Sequence, residues 1–296
     1  MAAAVISGVT VSQEIRDSIR QEVAELKART GKVPGLAVVL VGEDPASQVY
    51  VRNKSEGCAE TGMMSFEYRL PQETAQADLE ELVQTLNADE RVHGILVQLP
   101  LPKHLDEKRI ISLIDYRKDV DGFHPVNVGK LVVGDDDGFC PCTPYGCKIL
   151  INKVIPDPRG MHLVVVGRSN IVGKPMASLM VQKKKGADCI VTVCHSAAAD
   201  LRKYTLSADI LVAAIGSPEF IKADMVKEGA VVIDVGVNRI AHPTEPGKTK
   251  LVGDVAFNEV SQKASASTPV PGGVGKMTIA MLLSNTLKSF RIHNSL

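Results

Sequence analysis

The chain has no tryptophan, and phenylalanine and tyrosine together supply only 4% of its 296 residues. That scarcity disfavours a platform for single-stranded nucleic acid, which depends on aromatic faces for stacking. Charge of one sign is missing as well: 34 basic and 34 acidic residues cancel, for a pI near 7.0. Binding to a nucleic acid or to a membrane surface draws on a basic surplus, so neither partner is expected. No segment approaches the ~20 apolar residues needed to cross a bilayer. Residues 1–8 are apolar but short, with no basic flank and no cleavage site, unlike a secretory signal. A cytoplasmic location is expected, with mitochondrial import by a cryptic signal left open. The sequence also lacks any CxxC pair. Its six cysteines (Cys58, Cys140, Cys142, Cys147, Cys189 and Cys194) follow no framework spacing, so thiols in a reducing compartment are expected. Cys140, Cys142 and Cys147 cluster, but Pro141 stiffens the group and no histidine stands at ligand spacing. No metal site is expected.

What remains is an ordinary globular composition, 45% hydrophobic and 23% charged, long enough for about two domains. Disorder, collagen-like repeats and coiled coil are excluded as the main architecture. Residues 11–29 carry Ile15, Ile19, Val23 and Leu26 at helical spacing. Residues 36–41 form an unbroken apolar run, as a strand covered on both faces requires. A helix over 45–61, a strand over 65–70, a helix over 78–86 and a strand over 93–98 complete a βαβα alternation. Residues 135–144, rich in Asp, Gly, Pro and Cys, mark a junction near their end. The alternation then restarts with strands at 163–166, 190–193, 209–215 and 230–235. A helix is predicted over 222–227, a polar excursion over 241–250, and a last helix over 277–289 that packs on the first domain. The fold class is α/β: two α/β domains around a cleft, the second a Rossmann-like dinucleotide-binding domain. The expected division is 1–144 plus 277–296 against 145–276.

The strand at 163–166 runs into Gly167-Arg168-Ser169-Asn170-Ile171-Val172-Gly173-Lys174-Pro175. Glycine at a strand's end lets backbone approach a diphosphate, and the following helix N-terminus favours that anion. The spacing is neither GxGxxG nor a P-loop, since Pro175 stands where Ser or Thr would hold magnesium; a plain strand-to-helix turn also fits. The next strand ends in Cys194-His195-Ser196, without the carboxylate that an NAD site uses for the ribose 2′-hydroxyl. Arg168 and Ser196 suit a 2′-phosphate instead, so NADP is favoured over NAD. His195 also reads as an ordinary loop residue. Ala214-Ile215-Gly216 and Asp234-Val235-Gly236-Val237-Asn238 lie at strand ends where backbone would face the nicotinamide half, or are simple turns.

In the first half, Tyr50 and Lys54 share a helical face, although a lone pair at this spacing is usually surface packing. Gln98 ends a buried strand at the carboxyl edge, where ligands bind in such sheets, and is followed by Leu99-Pro100-Leu101-Pro102. Asp119 and Asp121 form either a turn or a charged anchor. Near the end, Pro269-Val270-Pro271-Gly272-Gly273-Val274-Gly275 is a rigid then permissive loop. Gly275-Lys276 suggests a P-loop, but Val270 and Met277 occupy positions that motif reserves for Gly and Ser/Thr.

The segments Tyr50-Val51-Arg52-Asn53-Lys54, Val97-Gln98-Leu99-Pro100-Leu101-Pro102, Lys118-Asp119-Val120-Asp121-Gly122, Val166-Gly167-Arg168-Ser169 and Pro269-Val270-Pro271-Gly272-Gly273-Val274-Gly275 together closely resemble the bifunctional methylenetetrahydrofolate dehydrogenase/cyclohydrolase family. The resemblance runs over nearly the whole chain, in order. One departure is Lys276, where family members usually have Pro before the Met-Thr kept here as Met277-Thr278. The resemblance implies NADP-dependent oxidation of 5,10-methylenetetrahydrofolate to the methenyl cation, then hydrolysis to 10-formyltetrahydrofolate, by a homodimer. It implies Lys54 as the acid/base, oriented by Gln98, with Tyr50 stacking on the aminobenzoyl ring and Asp121 holding the pterin edge. Val51, Arg52, Asn53, Val97, Leu99 and the loop Pro271, Gly272, Gly273, Val274 and Gly275 complete the folate contacts. Gly167, Arg168, Ser169, His195, Ser196, Ala214, Gly216, Gly236, Val237 and Thr278 fall to NADP. A monofunctional dehydrogenase and a non-catalytic nucleotide sensor are the rival readings.

Overall fold

A computed structural model describes residues 3–242, 244–245 and 247–296, excepting the side chain of Ala46. Packing divides the chain into two compact units. The first comprises Gln13–Cys142 and Ile279–Leu296; the second comprises Met1–Ser12 and Thr143–Thr278. The chain opens with β1 (Ala4–Val5) and α1 (Gly8–Thr30), followed by β2 (Gly35–Val41), α2 (Pro45–Thr61), β3 (Met64–Leu70), α3 (Gln76–Ala88) and β4 (Gly94–Val97). Two short helices, α4 (Glu107–Leu113) and α5 (Pro125–Val133), close this half.

In the first unit the strands run parallel in the order β3-β2-β4. Every residue of β2 is buried, as the unbroken apolar run predicts for a central strand. Ala37, Val39, Leu79, Val83, Ile95 and Ile110 share one core. The helices α4 and α5 escape the apolar-period reading but carry start signals: Asp106 caps α4 by accepting from Arg109 N, and His124 precedes Pro125 at the first position of α5. Beyond them, Asn285 donates to Val120 O and Cys140 O, and Ser289 donates to Arg117 O and His93 O. These bonds fasten the C-terminal residues to the first unit.

The chain continues with α6 (Cys142–Val154), β5 (His162–Val166), α7 (Gly173–Met180), β6 (Ile190–Cys194), α8 (Arg202–Thr205), β7 (Ile210–Ala213), β8 (Val231–Asp234), β9 (Asn238–Ala241), β10 (Thr249–Val252), α9 (Phe257–Val260), β11 (Ala266–Ser267) and α10 (Val274–His293), whose residues from Ile279 onward belong to the first unit. The sheet of the second unit has the order β1-β11-β8-β7-β5-β6, all pairs parallel. The strand β5 is thus interior, with β6 on one side and β7 on the other. That arrangement creates a switch point at the carboxyl ends of β5 and β7, where ligands bind in doubly wound sheets.

Three details differ from the sequence reading. Residues 3–12 pack with the second unit, because β1 pairs with β11 in register Ala4↔Ala266. The helix predicted over 222–227 is one 3₁₀ turn, Ala223–Met225. Buried Ile221, bridged to Val255, and buried Val226 pin both its ends and leave no length for an α-helix. The polar excursion is the tip of a hairpin, β9 pairing antiparallel with β10; Pro243 and Pro246 within it lie outside the described residues.

Candidate active site

In the first unit the reactive residues sit on α2 and at the end of β4. Asp44 caps α2, accepting from Ser47 N at 2.8 Å, with Pro45 at the first helical position. Val51 turns into the core, while Tyr50, one residue earlier, is 41% exposed. Lys54 lies a turn beyond Tyr50 on the same stripe, yet only 7% of it is exposed. Its Nζ donates to Gln98 Oε1 at 2.8 Å. Gln98 is itself fixed: its backbone N–H bonds Val39 O, and its Nε2 donates to Leu99 O at 2.7 Å. With the amide nitrogen committed, the amide oxygen is the end offered to the lysine.

Electrostatics distinguish Lys54 from a surface lysine. Burial pushes its pKa below the ordinary 10.5, and the charges of Asp121 and Cys142 oppose that shift. Burial raises the Asp121 carboxyl, against the attraction of Lys54. Cys142 is raised well above the usual thiol value, by burial first and then by Asp121. The three groups share one desolvated locality, and for the amine desolvation is the largest influence.

The two aspartates of the 118–122 segment have separate tasks. Asp119 accepts from Phe123 N, His124 N and Asn127 Nδ2, which locks the turn into α5. Asp121 is the one coupled to Lys54. Among the remaining expected folate contacts, Val97 is a core residue, Arg52 is exposed and paired with Glu56 at 3.8 Å, and Asn53 and Leu99 are partly buried. Cys142 is an addition that spacing gave no reason to place here.

In the second unit, Gly167 sits at the switch point with φ +132°, and a Cβ there would collide with Ala214 O. A Cβ at Gly173 would collide with Gly167 O. Both positions therefore need glycine, and the strand-to-helix turn is too close for any side chain. Ser169 Oγ accepts from Val172 N and Gly173 N at the start of α7. Arg168 and Ser196 are exposed, and His195 is partly buried with its Nδ1 accepting from Ala197 N. The end of β6 presents no carboxylate, so the donor set fits a phosphorylated ribose better than a free 2′-hydroxyl. Ala214, Gly216, Gly236 and Val237 follow β7 and β8 at the same sheet edge. Within this unit Thr278 Oγ1 lies 3.1 Å from Thr143 Oγ1. The loop at 271–275 packs beside the start of α1, where Val9 N donates to Gly272 O. Lys276 is exposed and its N–H donates to Gly273 O, a bond proline could not make.

A parallel α/β unit with a desolvated lysine held by a glutamine, and a doubly wound unit with a phosphate-fitted glycine turn, define a dinucleotide-dependent α/β enzyme. Comparison with known proteins narrows the class. Residues 6–121 match the tetrahydrofolate dehydrogenase/cyclohydrolase catalytic domain, and residues 141–294 match the NAD(P)-binding domain of the same family. The bifunctional protein FolD of Chlorobium luteolum is 57% identical over 293 residues, covering 99% of each chain. The crystal structure of the bifunctional FolD of Campylobacter jejuni is similar over 100% of both chains, at 47% identity and a TM-score of 0.93. A Trypanosoma brucei FolD complexed with NADP and inhibitor reaches a TM-score of 0.94 at 39% identity, again over 100% of both chains. The chain belongs to the tetrahydrofolate dehydrogenase/cyclohydrolase family.

Proposed function

We propose that this chain oxidises 5,10-methylenetetrahydrofolate with NADP and hydrolyses the resulting methenyl cation at Lys54. The observation that carries the reading is the Lys54–Gln98 hydrogen bond in a desolvated locality. Bound NADP supplies the hydride acceptor, and Gly167, Arg168, Ser169, His195, Ser196, Ala214, Gly216, Gly236, Val237 and Thr278 would hold it. Loss of hydride leaves a delocalised cation whose carbon keeps its second hydrogen, so the reacting carbon releases no proton. The protein's part in that step is therefore positioning.

Hydration makes a different demand. Water adds to the cationic carbon and gives one proton to a base. The adduct then loses its hydroxyl proton as the carbon–N5 bond breaks, and N5 gains a proton, so one proton is released overall. A single group that takes and returns protons serves both stages. A lysine amine with lowered pKa meets this need, and Gln98 aims it. Tyr50 offers an exposed ring face for the aminobenzoyl group, and Asp121 a carboxylate for the amino-pyrimidine edge. Val51, Arg52, Asn53, Val97, Leu99 and the 271–275 loop would complete the folate contacts.

A homodimer is part of the proposal. The strand β6 is an edge strand on which Ile190 is 64% exposed and Val193 is also exposed. An apolar edge with unpaired backbone groups favours pairing with its own copy about a two-fold axis. Cytoplasmic residence is proposed with it, supported by six cysteines that are all thiols among the described residues. The deciding experiment is a spectrophotometric assay of NADPH formation from methylenetetrahydrofolate, repeated with NAD and with methenyltetrahydrofolate. NADPH formation together with enzymatic loss of the methenyl absorbance supports the reading; a protein inert in every arm overturns it.

A further inference from the structure

The loops after β7 and β8 are held by two buried carboxylates that the reaction itself does not use. Asp254, fully buried, accepts from Ile215 N at 2.6 Å and Gly216 N at 2.9 Å through Oδ2. Through Oδ1 it accepts from Ser217 N at 3.0 Å and Asn238 Nδ2 at 2.9 Å. One carboxylate thus ties both loops together. Asp254 is seated in turn by Asp234 at the end of β8, whose carboxylate accepts from Gly236 N, Asp254 N and Val255 N. The fit leaves no slack: a Cβ at Gly236 would collide with Asp254 Oδ1, and one at Gly253 with Asp234 Oδ2.

In a planar trans peptide the N–H and the preceding C=O point in opposite directions. Three N–H groups drawn onto Asp254 therefore turn the carbonyls of Ala214, Ile215 and Gly216 away from it. The Ala214 carbonyl faces Gly167, the glycine at the switch point. The Gly216 side is open, since a Cβ built there meets nothing within 4 Å. The loop consequently offers acceptors, which match the amide N–H₂ of a nicotinamide carboxamide.

We infer that Asp254 is a positioning residue for the nicotinamide half of the dinucleotide site, fixing the backbone of residues 214–217 in its acceptor-outward form and tying it to the Asn238 side chain. This inference rests on the NADP reading above. Asp254→Asn tests it, because all four groups facing the carboxylate are donors and an amide must direct its own N–H₂ at some of them. The expected result is NADP affinity reduced about tenfold or more by calorimetry, with adenosine 2′,5′-bisphosphate bound within about twofold of the native protein. Methenyl hydrolysis, whose acid/base Lys54 belongs to the other unit and which needs no dinucleotide, should be unchanged. Equal loss of both ligands, or native NADP affinity, would overturn the inference. Asn238→Leu removes one of the four bonds and keeps the carboxylate, so it should weaken NADP about threefold with the bisphosphate unaffected. If Asp254→Asn does not fold, native NADP affinity in Asn238→Leu overturns the inference by itself. Failure of the native protein to bind either ligand would instead remove the NADP reading and this inference together.

Discussion

Lys54 Nζ on α2 donates to Gln98 Oε1 at the end of β4 across 2.8 Å, with the glutamine's own nitrogen anchored on Leu99 O. The pair joins two elements 44 residues apart in sequence, and neither side chain can turn away without losing a bond. Lys54→Met keeps much of the apolar stem and removes the amine. Methenyl hydrolysis should fall by about 10²–10⁴, the usual worth of general acid–base catalysis, while NADPH formation persists within roughly tenfold. Because burial lowers the amine's pKa, the native enzyme's hydrolysis should rise with pH along a limb below 10.5 as Lys54 loses its proton. Native rates of methenyl hydrolysis in the methionine variant would remove Lys54 from the chemistry.

Much of this site is legible in sequence because its parts are local. Tyr50 and Lys54 share a face by helical period alone, and Gln98 is placed by the end of an apolar run. The glycine turn at 167–173 reads the same way, since close approach of backbone leaves glycine as the residue that fits. Asp254 and Cys142 were not legible. Each acts through partners that only tertiary structure brings near: Asp254 through Ile215 and Asn238, Cys142 through Asp121. The first strand is illegible in sequence for a similar reason, as two residues at Ala4–Val5 have no periodicity and exist as a strand only through β11.

Arg168 is proposed to read the cofactor through charge. It is exposed at the end of β5, where a guanidinium can pair with a 2′-phosphate. Charge-assisted hydrogen bonds contribute about 1.5–3 kcal/mol, so Arg168→Ala should raise the KM for NADP by roughly 10–100-fold. The KM for NAD, which carries no 2′-phosphate, should change by less than about threefold. Equal losses for both cofactors would show that Arg168 does not make the discrimination.

The edge strand β6 makes a prediction about assembly. Replacing Ile190 with Lys places a charge on the exposed apolar edge, a substitution that natural sheets use against edge pairing. Ile190→Lys should shift the proposed dimer toward monomer in sedimentation at micromolar concentration, with little change in thermal stability measured on the monomer. A native protein that sediments as a monomer would overturn the dimer, and an unshifted variant would place the pairing surface elsewhere.

The last prediction concerns acid stability and rests on His93. Its ring is buried, with Nδ1 accepting from Gly35 N at 3.1 Å and its edge toward Phe290 at 4.8 Å between centroids. Burial, then the neighbouring His293 and Lys118, push its pKa down to about 4. The unfolded chain binds that proton near 6.5. Above about pH 6.5 both states hold a neutral imidazole, and the native contacts contribute in full. As pH falls from about 6.5 toward 4, the unfolded state takes up a proton that the folded state refuses, so stability declines through that window and levels off below it. Asn at position 93 can still accept from Gly35 N but does not titrate. His93→Asn should therefore be less stable than the native protein at pH 7.5, by roughly 1–3 kcal/mol for the lost packing. The gap should narrow steadily in urea melts taken from pH 6.5 to 4.5. A constant gap across that range would mean that the buried ring is not the group whose protonation weakens the fold.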